Sequence, residues 1–152
     1  MNPLYDLLKG STQLYSKLLE LEHEKYDAVI KADVEVLDDI VSKEQAYYMK
    51  MRGDEQKREK LLKEMGFSGK TLREIIDVSQ GEEKVRLNDV FNELNDLLKE
   101  VKKINGMCKT LIEVRLRRVD NALSQLGEKE NTYTETEHKN GNAKSLIFSK
   151  KI

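Results

Sequence analysis

Gly69, Lys70 and Thr71 are the residues closest to a known catalytic motif, because they match the end of a phosphate-binding loop. That loop reads G-x-x-x-x-G-K-[ST] and follows a buried strand, and its backbone N–H groups and lysine hold nucleotide phosphates. Here Glu64 occupies the position of the first glycine, and the preceding QKREKLLKEM is charged and typical of a helix. The sequence therefore predicts no nucleotide site, no cofactor and no small-molecule substrate.

Two Glu-x-x-His pairs, Glu20 with His23 and Glu135 with His138, have the spacing found in metal sites. Such pairs on facing helices, with two further glutamates, build di-iron centres in four-helix bundles. The first pair lies on the polar flank of its predicted helix, however, and the second lies in a polar tail without helical periodicity. We expect solvated charged side chains and no metal site.

Cys108 and the basic middle of the longest predicted helix complete the candidates for chemistry. Cys108 has no histidine or cysteine at catalytic spacing and falls on an apolar stripe, so it is predicted to be a small core residue rather than a nucleophile. A nucleic-acid interface would need a basic domain with stacking aromatics. The net charge is −1 and aromatic residues make up 6%, so we expect a charged helix face instead, and no enzyme.

The elements that must position these residues are predicted to be helices, since the one proline is Pro3 and leucine, lysine and glutamate are plentiful. Asn2 is a candidate N-cap for the first helix, and Asp33 for a second. Gly66 is placed for a left-handed helix end, and Thr71 with Glu74 forms a capping box for a short helix over residues 72–78. The segment GFSGKT is thus interpreted as a helix stop followed by a helix start.

A second capping box, Ser79 with Glu82, is predicted to open the longest helix, which is expected to end at Gly127. The polar residues 128–152 follow and are interpreted as a flexible tail with a small apolar segment near its end. The fold class is therefore all-α: an elongated, coiled-coil-like antiparallel bundle of three long helices with a short connecting helix. The predicted domains are a helical bundle over 1–127 and a C-terminal tail over 128–152.

The compartment is predicted from what the sequence lacks. The lone cysteine cannot form an internal disulfide and is typical of a reducing compartment. No apolar run approaches the roughly 18 residues of a membrane span, and the N-terminus MNPLYDLLKG is unlike a signal peptide. We expect a soluble, cytoplasmic protein without stable membrane insertion.

Two segments of the sequence resemble segments of a known protein family. The first half contains LLELEHEKYDAVIKADVEVLDDIVSKEQAYYMKM, then EQKREKLLKEMGF and TLREII; the second contains INGMCKTLIEVRLRRVDNALSQL and a tail with Tyr133, Gly141 and Ile152. In spacing and helix order, over nearly residues 14–126, this resembles a FlgN-type flagellar export chaperone. In the tail, Tyr133 and Gly141 are eight positions apart, whereas the family often has about four.

The resemblance implies a bacterial chaperone for hook-associated proteins, which form the hook–filament junction. Such a chaperone covers amphipathic helical ends, prevents premature assembly and delivers the substrate to the flagellar type III export apparatus. The tail tyrosine of the family implies a docking role at the export gate for Tyr133. The alternative is a structural coiled-coil scaffold, which would cover its apolar stripe with copies of itself, whereas a chaperone is expected to be a monomer when free.

The predicted substrate groove spans residues 107–123 of the long helix, where apolar side chains occupy more than one face. A partner helix can pack into such a groove, and Arg115, which falls among the apolar positions, can pair with an acidic group there. A cluster of Tyr47, Tyr48, Met49 and Met51 is interpreted either as core or as an adaptable surface for another helix. The predicted groove residues are Met107, Leu111, Ile112, Arg115, Leu116, Val119 and Leu123.

Overall fold

The computed structural model describes residues 2–131, with side-chain burial described for residues 2–127. These residues form helices α1 (Pro3–Lys31), α2 (Val34–Glu64), α3 (Leu72–Val78) and α4 (Gly81–Asn131). There is no strand in this part of the chain. The prediction of an all-α protein with three long helices and a short connecting helix is therefore confirmed.

The first two helices begin at the predicted caps. The side-chain oxygen of Asn2 accepts a hydrogen bond from the backbone N–H of Leu4 at 3.0 Å, and Pro3 occupies the first helical position. Asp33 accepts from the backbone N–H of Val36 at 3.1 Å and starts α2. Between the helices, Ala32 takes a left-handed conformation with φ of 55°. This two-residue turn folds α1 and α2 into a helical hairpin.

The segment GFSGKT connects two helices, as the sequence predicts. Gly66 has φ of 78°, and the N–H of Phe67 donates to the carbonyl oxygen of Leu62 at 2.8 Å, which closes the end of α2. The hydroxyl of Thr71 accepts from the N–H of Glu74, whose carboxylate accepts in turn from the N–H of Thr71 at 2.7 Å. Both lysine-flanking residues of the GKT motif thus have structural roles, since Gly69 also takes a positive φ of 75°.

Both predicted ends of the long helix α4 are wrong. The hydroxyl of Ser79 donates to the carbonyl oxygen of Ile75 at 2.8 Å, so this side chain closes α3, and α4 begins at Gly81 with φ of 61°. At the other end α4 continues through Gly127 to Asn131. A glycine inside a helix costs only about 1 kcal/mol relative to alanine, which the good helix formers Glu128, Lys129 and Glu130 can offset. The predicted boundary between a domain at 1–127 and a tail stays a prediction.

The described part of the chain divides into two units, with residues 2–105 in the first and residues 106–131 in the second. The first unit contains two buried apolar clusters. The larger one joins all four helices, and the smaller one joins α1 to α2 through Leu21, Ala28 and Ile40. Burial of each such side chain stabilises the fold by about 1.5–3 kcal/mol. The buried members of the larger cluster are Leu4, Leu8, Leu62, Ile75, Ile76, Leu87 and Val90.

Polar contacts set the register between α1 and α4 within the first unit. Asn2 contacts Glu83, and the Lys9 ammonium lies 2.8 Å from the Glu93 carboxylate. Farther along, Lys25 contacts Asn105. Residue numbers rise together in all three pairs, so α4 runs parallel to α1 in this unit, and α2 runs antiparallel to α1.

None of the described helices has a stretch of 18 residues apolar enough to cross a membrane.

Candidate functional site

The second half of α4 carries large apolar side chains that are exposed. Earlier in the same helix several apolar side chains are buried, with Leu87 1%, Val90 2% and Ile104 6% exposed. Beyond Cys108, which is 0% exposed, the exposed fraction reaches 55% at Val119 and 60% at Leu123. Apolar positions thus continue along the helix beyond Cys108, which is the last fully buried side chain among the described residues.

The predicted groove residues fall into two groups by exposure. Met107, Val119 and Leu123 are exposed. Leu111, Ile112, Arg115 and Leu116 are half-buried. All seven lie on α4, and the four half-buried ones already pack in part against the protein.

Two exposed apolar residues of this half of α4 were not among the predicted groove residues. Val114 is 39% exposed and Leu126 is 59% exposed. Helical spacing could have found both, because Val114 lies seven residues after Met107 and Leu126 lies seven residues after Val119. We call the combined set the α4 apolar face: Met107, Leu111, Ile112, Val114, Leu116, Val119, Leu123 and Leu126.

Charged side chains interleave with the α4 apolar face. Residues 107–123 contain four basic and two acidic side chains. The basic Lys109, Arg117 and Arg118 are exposed, as are the acidic Glu113 and Asp120. The segment therefore presents apolar surface together with a net positive charge, which favours an apolar partner with acidic groups beside its apolar side chains.

Cys108 is fully buried, as predicted for a small core residue. The predicted soft cluster on α2 is divided: Tyr47 and Met51 are half-buried, whereas Tyr48 and Met49 are 47% and 77% exposed. Tyr133, the predicted docking residue, lies outside the described residues.

Four polar side chains from three helices meet inside the first unit, and we call them the polar cluster: Glu22, Lys25, Glu44 and Asn105. The ammonium nitrogen of Lys25 lies 2.6 Å from a carboxylate oxygen of Glu22 and 2.6 Å from one of Glu44. It also donates a hydrogen bond to the side-chain oxygen of Asn105 at 3.0 Å. Lys25 interrupts the apolar stripe of α1 in the sequence, yet it is only 3% exposed.

The electrostatics of the polar cluster are dominated by burial. Burial, followed by a hydrogen bond with Glu44, raises the pKa of Glu22 to about 7, although Lys25 acts in the opposite direction. Burial of Lys25 lowers its pKa, but the hydrogen bonds with Glu22 and Glu44 outweigh burial, so the pKa of the ammonium is raised. The cluster thus holds a charged lysine beside Glu22, a buried carboxyl group that keeps its proton to a higher pH than an exposed glutamate does.

Among the residues that the structure describes, no group of three or more histidine, cysteine, aspartate or glutamate side chains is arranged to hold a metal ion. Glu20 and His23, the first Glu-x-x-His pair, are both exposed on α1. The second pair, Glu135 and His138, lies outside the described part of the chain.

These features define a class: an all-α protein whose longest helix carries an exposed apolar face among charged side chains. The chain belongs to the FlgN protein family, whose family model matches residues 1–145. It is 29% identical over 132 residues to the uncharacterized protein YvyG of Bacillus subtilis (strain 168), in an alignment that covers 86% of this chain and 82% of that protein. No solved structure matches the chain. Membership of the FlgN family implies a flagellar export chaperone.

Proposed function

We propose that this chain is a cytoplasmic chaperone that binds the amphipathic helical ends of flagellar hook-associated proteins, prevents their premature assembly and delivers them to the type III export apparatus. The family supports the general role. The observation that carries the substrate-binding part is the exposure of the α4 apolar face, where Val119, Leu123 and Leu126 are 55%, 60% and 59% exposed.

The α4 apolar face suits a helical partner for physical reasons. Val119, Leu123 and Leu126 follow the i, i+4, i+7 spacing of one helix surface, so an amphipathic helix can pack along them. Full burial of such a side chain contributes about 1.5–3 kcal/mol, and a few of them can support micromolar binding after the entropic cost of association. The flanking Arg117 and Arg118 favour acidic residues beside the apolar face of that partner.

Tyr133 is proposed as the docking residue for the export gate, on the basis of the family resemblance. A contact outside the α4 apolar face would allow substrate binding and gate docking at the same time. Two weak contacts on one chain also raise the overall affinity of the chaperone–substrate complex for the export apparatus.

The test compares two valines of similar exposure on the same helix. Val119 is 55% exposed on the α4 apolar face, and Val85 is 58% exposed in the first turns of α4. Titration calorimetry against the terminal segments of a hook-associated protein should show that Val119→Asp weakens binding by about 2 kcal/mol or more, since it places a charge in an apolar contact. Val85→Asp should leave binding unchanged. Equal affinities for both variants and the unsubstituted chain would rule out the α4 apolar face as the substrate site.

The alternative function, a self-associating coiled-coil scaffold, would use the same exposed face against a second copy. Light scattering on the purified chain separates the two functions: a chaperone should have the mass of a monomer, 17.6 kDa, at micromolar concentration. A stable dimer that Val119→Asp dissociates would favour the scaffold.

A further inference from the structure

The polar cluster lies where an apolar core would otherwise hold three helices together. Its charged members are almost fully buried: Glu22 is 0%, Lys25 is 3% and Glu44 is 4% exposed. Glu22 and Lys25 belong to α1, Glu44 to α2 and Asn105 to α4. Lys25 is the common partner, since its ammonium has three N–H donors and lies near one oxygen from each of the other three residues.

Charge balance makes this arrangement sensitive to one proton. With both carboxyl groups ionised, two negative charges face one positive charge in a buried site, and an uncompensated buried charge is strongly unfavourable. With Glu22 protonated, the cluster is neutral. Asn105 supplies an oxygen acceptor from α4 and does not titrate.

Groups on each element of the hairpin face these carboxyl groups. The Lys25 ammonium on α1 reduces the electrostatic repulsion between the two carboxylates. Tyr48 on α2 lies close enough to Glu44 and Glu22 for their charges to affect the pKa of its phenol. Burial first, and these two carboxyl groups next, raise the pKa of Tyr48, so the phenol stays neutral near pH 7. Protonation of Glu22 therefore changes the charge of the cluster near neutral pH.

We propose that the polar cluster is a pH-sensitive switch: a proton on the buried Glu22, beside Glu44, holds α1, α2 and α4 together, and its loss loosens the three helices around Lys25 and Asn105. Asn105 ends the first unit and precedes Met107 by two residues.

The direction of the pH effect follows from the shift at Glu22. Folding raises its pKa from 4.5 to about 7, so the folded chain holds this proton more tightly than the unfolded chain does. Its contribution to stability is complete below about pH 4.5, decreases as the pH rises, and is lost above about pH 7. Stability should thus decrease between pH 6 and pH 8.

The experiment compares Glu22→Gln with Glu20→Gln in the free, full-length chain. Glutamine keeps the size of the neutral carboxyl group but cannot ionise, and Glu20 is an exposed glutamate on the same helix. Between pH 6 and pH 8 the melting temperature of the unsubstituted chain should fall by roughly 4 °C more than that of Glu22→Gln. Glu20→Gln should behave like the unsubstituted chain. Both histidines are present in all three proteins, so their contribution cancels.

Amide hydrogen exchange at the two pH values locates the effect, after correction for the intrinsic pH dependence of exchange. Protection should fall at pH 8 around residues 22–25, 44 and 105 in the unsubstituted chain, and should be retained in Glu22→Gln. An identical pH dependence of melting and exchange in Glu22→Gln and the unsubstituted chain would overturn the switch. Because no substrate is present, this outcome is independent of whether the chain is a chaperone.

Discussion

The ammonium of Lys25 on α1 donates a hydrogen bond to the side-chain oxygen of Asn105 on α4 at 3.0 Å, across 80 positions of sequence. This contact fixes the register of two parallel helices, and it does so inside the protein, where Lys25 is 3% exposed. The same ammonium lies 2.6 Å from Glu44 on α2. One lysine therefore connects the three long helices of the first unit.

Replacing this lysine should be costly. Lys25→Met keeps most of the side-chain volume but leaves two buried carboxyl groups without their cation, and breaking a buried ion pair typically costs about 3–5 kcal/mol. Urea unfolding should show a loss of this size. The matched control is Lys43→Met, because Lys43 pairs with Asp39 at 2.9 Å on the surface, and its stability should hardly change. Equal losses of unfolding free energy in the two variants would show that the buried contacts of Lys25 stabilise the fold no more than a surface ion pair does.

Glycines of two kinds on and after α2 should respond to alanine in opposite directions. Gly66 has φ of +78°, a conformation that alanine adopts at a cost of about 1–2 kcal/mol, so Gly66→Ala should destabilise the chain. Gly53 lies inside α2 with nothing within 4 Å of an added Cβ, so Gly53→Ala should stabilise it by about 0.5–1 kcal/mol. Thermal melts of both variants check this pair of signs, and a stabilising Gly66→Ala would contradict the helix-end role.

Four helix ends could be predicted from the sequence, those at Asn2, Asp33, Gly66 and Thr71, because a helix end depends on residues within one turn. The two ends of α4 could not. The side chain of Ser79 closes α3 instead of opening α4, and the cost of one glycine at Gly127 is small enough for neighbouring helix formers to offset.

The polar cluster could not be predicted from local pattern. Glu44 and Asn105 are distant from Lys25 in sequence, and a lysine on an apolar stripe only becomes informative once its partners are placed. The α4 apolar face was predicted in part, because apolar spacing identifies the helix surface. That spacing does not reveal where burial stops, which depends on the tertiary packing along α4.

The GKT motif should have no nucleotide function. Gly69 takes a positive φ and Thr71 caps α3, so both residues already serve the connection between α2 and α3. Titration calorimetry with ATP and magnesium should give no binding heat. Micromolar binding that Lys70→Ala removes would show that the connection is also a nucleotide site.

Substrate binding and delivery should be separable by substitution, because the proposed sites lie in different parts of the chain. Val119→Asp alters the α4 apolar face and should lose both binding of a hook-associated protein and its export. Tyr133→Ala, chosen from the family resemblance, should bind substrate with unchanged affinity and export less of it. Calorimetry measures the first property, and the amount of secreted hook-associated protein in cells carrying each variant measures the second. If Tyr133→Ala instead loses substrate affinity while Val119→Asp keeps it, the substrate site lies in the C-terminal residues and the assignment of the α4 apolar face is wrong.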